Sequence, residues 1–254
     1  MFSAKITNFI QVTGCADETI ADYFLKKNKL HLNNAIDDFY ANGHVVVQES
    51  ANAKVISQIF DKYTDNDSKD QIGIDGALSY FSDMGIDVEN DVEALIAAYI
   101  LKSPSTCIFN KTEFVSGWCN VSPEITSVAD MARYLHHAKN NCDLMKKVHN
   151  FAFMYALDEG ERKLEIDAAV ALWKIIYKAD FAHFEETGKH TTVTKFVIDF
   201  IVSGKSGKSQ ISRDEWEMSY DFFVIPLVEL ENYSESEAWP VLMDDFVDFL
   251  FGRV

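Results

Sequence analysis

Three short apolar runs at helical spacing open the chain: Ile6, Phe9 and Ile10; Ile20, Tyr23 and Phe24; then Leu32, Ala35, Ile36 and Phe39. Recurrence at i, i+3 and i+4 predicts three helices. Gly14 supplies a left-handed turn after the first, Asp17 or Ala16 precedes the second, and the polar stretch Lys26 to Lys29 ends it. About forty residues bury little surface, so such a module usually serves as an appendage. A linker is expected at residues 43–50, followed by a long, mostly helical region from 51.

That region has a cadence of its own. A β-like apolar doublet stands directly before a helix start at Ile72-Gly73-Ile74-Asp75, Cys107-Ile108-Phe109-Asn110, Leu164-Glu165-Ile166-Asp167 and Gln210-Ile211-Ser212. Asn110 with Glu113 and Ser212 with Glu215 have the spacing of capping boxes. Helix, short strand, helix is EF-hand-like, and such units pair their strands. An all-α protein is expected: a three-helix bundle, then one domain of two degenerate EF-hand-like pairs.

Ligand arithmetic rejects calcium. With Ile72 at the central apolar loop position, Asp65 and Asp67 take the first and third ligand positions, but Lys69 takes the fifth, Asp70 the required glycine and Gly76 the bidentate glutamate. Aligned on Ile211, Glu215 keeps the last position while Gly204, Ser206 and Lys208 replace carboxylates.

The C-terminal stretch Tyr233 to Phe249 places Pro240 in the first turn of a helix that Gly252 ends. At about 100° per residue, Leu242, Phe246, Phe249 and Leu250 share a face, with Asp244 and Asp248 opposite and towards solvent. Asp214 falls two residues after the Ser212 cap, where a carboxylate suits the helix dipole.

Composition narrows the classes. Among 254 residues, 40 Asp+Glu against 23 Lys+Arg give a formal net charge of −17, which disfavours nucleic acid and anionic membranes and favours a basic protein partner. With only 4 Pro and 11 Gly, linker-dominated or disordered chains are excluded. Neither a signal peptide nor a membrane span is read in the sequence. Cys15, Cys107, Cys119 and Cys142 lack CxxC spacing, which fits reduced thiols and a protein of nucleus and cytoplasm. Gly204-Lys205-Ser206-Gly207-Lys208-Ser209 lacks the earlier glycine of a phosphate loop, and His136-His137 with Cys142 reads as a solvated face. No metal, cofactor or activated nucleophile is marked.

The N-terminal pattern, Thr13-Gly14-Cys15 with Leu32 to Tyr40, resembles a ubiquitin-associated (UBA) domain over residues 1–42. That resemblance implies ubiquitin or a ubiquitin-like modifier as a partner. On the residues alone, a small bundle without a ligand fits equally well, and Thr13 and Cys15 replace the apolar residues usual beside the loop glycine. Residues 51–254 resemble the defective-in-cullin-neddylation family and its PONY (potentiating neddylation) domain. The match lies in Ile72-Gly73-Ile74-Asp75-Gly76, Asn150-Phe151-Ala152-Phe153, Trp173, Arg213-Asp214-Glu215-Trp216, Ala238-Trp239-Pro240-Val241-Leu242 and Asp244-Asp245-Phe246-Val247.

The resemblance implies a scaffold-type ligase, or co-ligase, for cullin neddylation without a catalytic residue of its own. It would bind the cullin C-terminal winged-helix region through Asp214, Ala238 and Asp244. It would also hold the acetylated N-terminal methionine of the conjugating enzyme in a pocket of Ile74, Ala77, Ala94, Ala98, Leu101, Cys107 and Phe109, with Tyr155 and Ile175. No oligomerisation motif is read, which favours a monomer. The alternative is an EF-hand-derived adaptor with a ubiquitin-binding module and no role in conjugation. Calorimetric titration with calcium separates the readings: no saturable heat is expected, and a saturable site would revive the adaptor.

Overall fold

The computed structural model describes residues 2–15, 17–49, 51–64, 68–178, 193–233 and 239–252. Among the described residues the fold is all-α apart from four strands of two or three residues. In order, the elements are α1 (Phe2–Thr13), α2 (Glu18–Lys27), α3 (Leu32–Glu49), α4 (Ala51–Tyr63), β1 (Gln71–Ile72), α5 (Ile74–Asp83), α6 (Val92–Ile100), β2 (Phe109–Asn110), α7 (Lys111–Val121) and α8 (Val128–Ala138). There follow α9 (Cys142–Tyr155), β3 (Lys163–Glu165), α10 (Ile166–Ile176), α11 (Thr194–Val202), β4 (Gln210–Ser212), α12 (Arg213–Phe223), a 3-10 turn (Leu227–Asn232) and α13 (Val241–Leu250). Among the described residues no helix is long and apolar enough to cross a membrane.

The chain divides into two compact units, Met1–Val88 with Glu93–Asn140, and Glu89–Val92 with Asn141–Val254. The first opens with the expected three-helix bundle. Phe9, Phe24 and Phe39, one from each apolar run, meet at ring-centroid distances of 5.4 to 6.3 Å. Asp17 caps α2 by accepting from the Thr19 N–H at 2.8 Å, and Gly14 takes φ +72°. Residues 43–50 are expected as a linker, but α3 continues through Glu49 and packs on α4 and α7. No proline interrupts that stretch, and Val45 to Val47 extend the apolar pattern.

The four doublets pair as two antiparallel ladders. In the first unit Ile72 faces Phe109 and Gln71 faces Asn110. In the second, Lys163, Leu164 and Glu165 face Ser212, Ile211 and Gln210. Ile72, Phe109, Leu164 and Ile211 are all buried, so each ladder pins the starts of two helices to one core. Around the first ladder Phe109 joins Tyr80, Phe81 and Phe114 in an aromatic cluster with centroids about 5 to 6 Å apart. Below the second, Trp173 stacks on Trp216 at 5.2 Å and Trp216 on His149 at 4.6 Å.

Asp65 and Asp67 lie outside the described residues. Gly76, at the position of the calcium-binding glutamate, meets a packing demand: a Cβ there would stand 2.0 Å from the Tyr63 carbonyl oxygen. The end of α4 therefore approaches α5 at a distance only glycine allows. The capping box expected at Asn110 does not form. Asn110 makes no side-chain cap; the Lys111 N–H instead donates to the Asp70 carbonyl at 3.0 Å, so the loop before β1 satisfies that amide.

His149 is fully buried. Its Nε2 donates to the Trp216 carbonyl at 2.8 Å, which fixes the neutral Nε2–H form, while Nδ1 has no partner. Burial lowers its pKa to about 4, against the pull of the Trp216 carbonyl and of Asp221 and Glu217. An imidazole neutral in the fold but charged in the unfolded chain lowers stability as pH falls from about 6.5 to about 4.

Two outcomes follow from this packing. Gly76→Ala should lower the unfolding free energy by about 2 kcal/mol or more in urea titration, because backbone rather than a side-chain tip must move; wild-type stability would contradict the close approach. Between pH 7 and pH 4, the wild type should lose about 3 kcal/mol more stability than His149→Gln. Equal pH slopes would contradict a neutral buried imidazole.

Candidate functional site

The second ladder leads straight into the best-ordered polar constellation of the second unit. Ser212 is both the last residue of β4 and the N-cap of α12. Its Oγ accepts from the Glu215 N–H at 3.3 Å, and Glu215 Oε2 accepts from the Ser212 N–H and hydroxyl, each at 2.8 Å. This is the capping box the sequence predicts. Glu215 is only 7% exposed, and its other oxygen pairs with the Lys208 ammonium. Burial raises its pKa, but Lys208 and Ser212 outweigh that and hold the carboxyl below its ordinary value. Lys208 thus supplies a positive charge in a loop that lacks metal ligands.

Asp214, one residue before Glu215, is exposed on the first turn of α12. Its neighbour Arg213 turns away to Glu217 at 2.6 Å. The carboxylate therefore stands beside the positive end of the helix, as expected.

Asp244 differs from expectation. The buried stripe of α13 is Leu242, Met243, Phe246 and Val247, rotated by about 50° from the predicted one. Met243 and Val247 are apolar enough to enter the core, whereas Phe249 stays 38% exposed, stacked on Phe200 at 5.0 Å beneath the Lys205 ammonium. The rotation leaves Asp244 and Asp248 half-buried rather than opposite the core. Asp244 Oδ1 accepts a hydrogen bond from the Tyr233 hydroxyl.

Phe222 ties these elements together. From the far end of α12 its ring meets Trp239 at 5.3 Å, Phe246 at 6.1 Å and Tyr233 at 6.4 Å. Asp214 lies eight residues upstream, about 12 Å along the helix axis. Ala238 lies outside the described residues.

The nine residues expected to hold an acetylated methionine are placed unevenly. Ala77, Ala98, Leu101 and Phe109 are buried core of the first unit. Ile74, 59% exposed, and the half-buried Ala94 and Cys107 reach its surface. Tyr155 and Ile175, both half-buried, belong to the second unit, where Tyr155 stacks on Phe151 at 4.9 Å. A groove of about 990 Å³ beside α4 and the start of α7, lined by Lys54, Ser57, Asp70, Lys111 and Glu113, includes none of the nine.

Among the described residues no group of His, Cys, Asp or Glu could hold a metal ion. His136 and His137 are both exposed, and His136 Nδ1 lies 3.5 Å from Glu93. None of the four cysteines, all among the described residues, is in a disulfide. Burial raises the thiol pKa of Cys15 to about 11 and pushes that of Cys107 up, so neither is an activated nucleophile.

Residues 127–249, which contain both aspartates and the whole second ladder, match a family model described as cullin binding; residues 3–44 match one described as a UBA-like domain. The defective in cullin neddylation protein 1 of Yarrowia lipolytica is 29% identical over 97% of this chain and 95% of its own length. The protein of that name from Candida albicans is 28% identical over 95% of each. Over nearly its whole length the chain thus resembles defective in cullin neddylation proteins, with a cullin-binding region and a UBA-like region. A DCN1-like protein 3 of Xenopus laevis is 29% identical over 81% of this chain and 65% of its own length.

Asp214 and the capping box under it are legible from sequence, because S-x-x-E fixes its own geometry. The Tyr233 and Lys208 contacts are not. Each joins an irregular segment to a helix, and no local pattern marks either pairing.

Proposed function

We propose that the protein is a scaffold-type co-ligase for cullin neddylation: it binds a cullin and promotes transfer of the ubiquitin-like modifier to a cullin lysine. The observation that carries this is the coincidence of the cullin-binding match, residues 127–249, with the unit in which α12 and α13 present Asp214 and Asp244. Two carboxylates on adjoining helices suit a basic surface of the cullin C-terminal winged-helix region, to which the small Ala238 is assigned as well. In a chain with net charge −17, the surrounding acid steers such a partner and discourages nucleic acid.

The chemistry stays on the conjugating enzyme. Holding a charged carrier near its acceptor lysine lowers the barrier by proximity and orientation, which alone can be worth several kcal/mol.

Other partners belong to the same proposal. The acetylated N-terminus of the conjugating enzyme docks on the first unit, where Ile74, Ala94 and Cys107 surface beside Ala77, Ala98, Leu101 and Phe109. A neutral acetyl group and a thioether suit such walls, and a charged amine does not. Residues 1–42 bind ubiquitin or the modifier. Thr13 and Cys15 turn inward, Thr13 Oγ1 donating to the Phe9 carbonyl at 2.7 Å, whereas Val12 and Tyr40 are exposed together, the Tyr40 hydroxyl donating to the Val12 carbonyl at 3.1 Å, and Tyr23 and Leu30 are exposed as well. The protein acts as a monomer in nucleus and cytoplasm.

Charge reversal tests the assignment. Asp214→Lys and Asp244→Lys should each weaken binding to a cullin C-terminal domain by about 30-fold or more, about 2 kcal/mol, with circular dichroism and melting temperature retained. Wild-type affinity should also fall as salt rises from 50 to 300 mM. A folded double reversal that still binds cullin normally would exclude these carboxylates as the contact.

A further inference from the structure

Asp244 is the proposed cullin contact that the fold holds most tightly, and the residue holding it comes from outside its own helix. Tyr233 follows the 3-10 turn in extended backbone, φ −55° and ψ 132°, with its N–H donating to the Leu230 carbonyl at 3.1 Å. Leu230 is 1% exposed, so this end of the segment is rooted in the core. The Tyr233 ring stands edge-on to the fully buried Phe222, whose ring also contacts Phe246 on α13. From that seat the phenol reaches Asp244 Oδ1 on the first turn of α13.

We propose that Tyr233 is a positioning residue for cullin binding: its hydroxyl holds the Asp244 carboxylate in one rotamer, ready to meet a basic group of the partner. This rests on the reading of Asp244 as a cullin contact. A half-buried carboxylate at the rim of an interface loses rotamer freedom when a partner binds it. A phenol anchored by its ring and its backbone imposes that order in advance. The second oxygen remains to accept from the partner.

Tyr233→Phe removes one oxygen and keeps the ring against Phe222. In a reconstituted transfer assay it should raise the KM for cullin roughly three- to tenfold, with kcat at saturating cullin unchanged, and raise the cullin Kd by the same factor. In an Asp244→Ala background, Tyr233→Phe should add nothing further to Kd. The coupling separates positioning from a general structural effect, since a loosened segment would cost the same in both backgrounds. Wild-type KM and Kd in Tyr233→Phe, or an equal loss in the Asp244→Ala background, would overturn the proposal and leave the acidic contact standing. Intact cullin binding by a folded Asp244→Lys variant would instead overturn the contact itself, and the positioning role with it.

Discussion

Two pairs of very short strands carry the architecture. A two- or three-residue antiparallel ladder contributes few hydrogen bonds, and in isolation it would not persist. Here each strand is followed at once by a helix, so the register of the ladder sets where those helices begin. Ile72 opposite Phe109, and Leu164 opposite Ile211, place buried side chains at the crossing points, and the aromatic clusters of each unit grow from them. Asp214 owes its position to this arrangement: Ser212 closes β4, caps α12 and fixes the first turn on which Asp214 stands.

Positions that would bind calcium in an EF-hand do other work. Gly76 lets α5 pass the end of α4 at a distance no side chain allows. Lys208 brings an ammonium to the nearly buried Glu215 carboxylate, offsetting its desolvation and completing the capping box. Burying one partner without the other would leave an uncompensated charge, so the pair is retained as a unit. Packing at one station and an internal ion pair at another both leave the helix starts in fixed places.

What the sequence disclosed was what depends on local pattern. The helical periods of the first forty residues, the doublets that become strands, and the S-x-x-E box at Ser212 each encode geometry within a few residues. The α13 stripe was half legible. Leu242 and Phe246 are buried as their spacing requires, but the choice between Phe249 and the pair Met243 and Val247 depends on which faces the rest of the unit offers. That choice moved Asp244 to the rim and gave it to Tyr233. The helix through residues 43–49 was missed because nothing local distinguishes a linker from a helix that gains support from α4 and α7. Among the nine expected pocket residues, small and apolar composition could not separate Ala77, Ala98, Leu101 and Phe109, which are core, from Ile74, Ala94 and Cys107, which reach the surface.

A scaffold that organises partners without touching the reacting atoms makes one demand on experiment: acceleration without a covalent intermediate. The most direct measurement is the single-turnover rate of modifier transfer from the charged conjugating enzyme to a cullin C-terminal domain, with and without this protein, followed on non-reducing gels that retain thioesters. The expected result is a saturable increase in rate with no modifier attached to this chain at any time. An unchanged rate, or a thioester on one of its four cysteines that forms and decays with the transfer, would contradict the scaffold role.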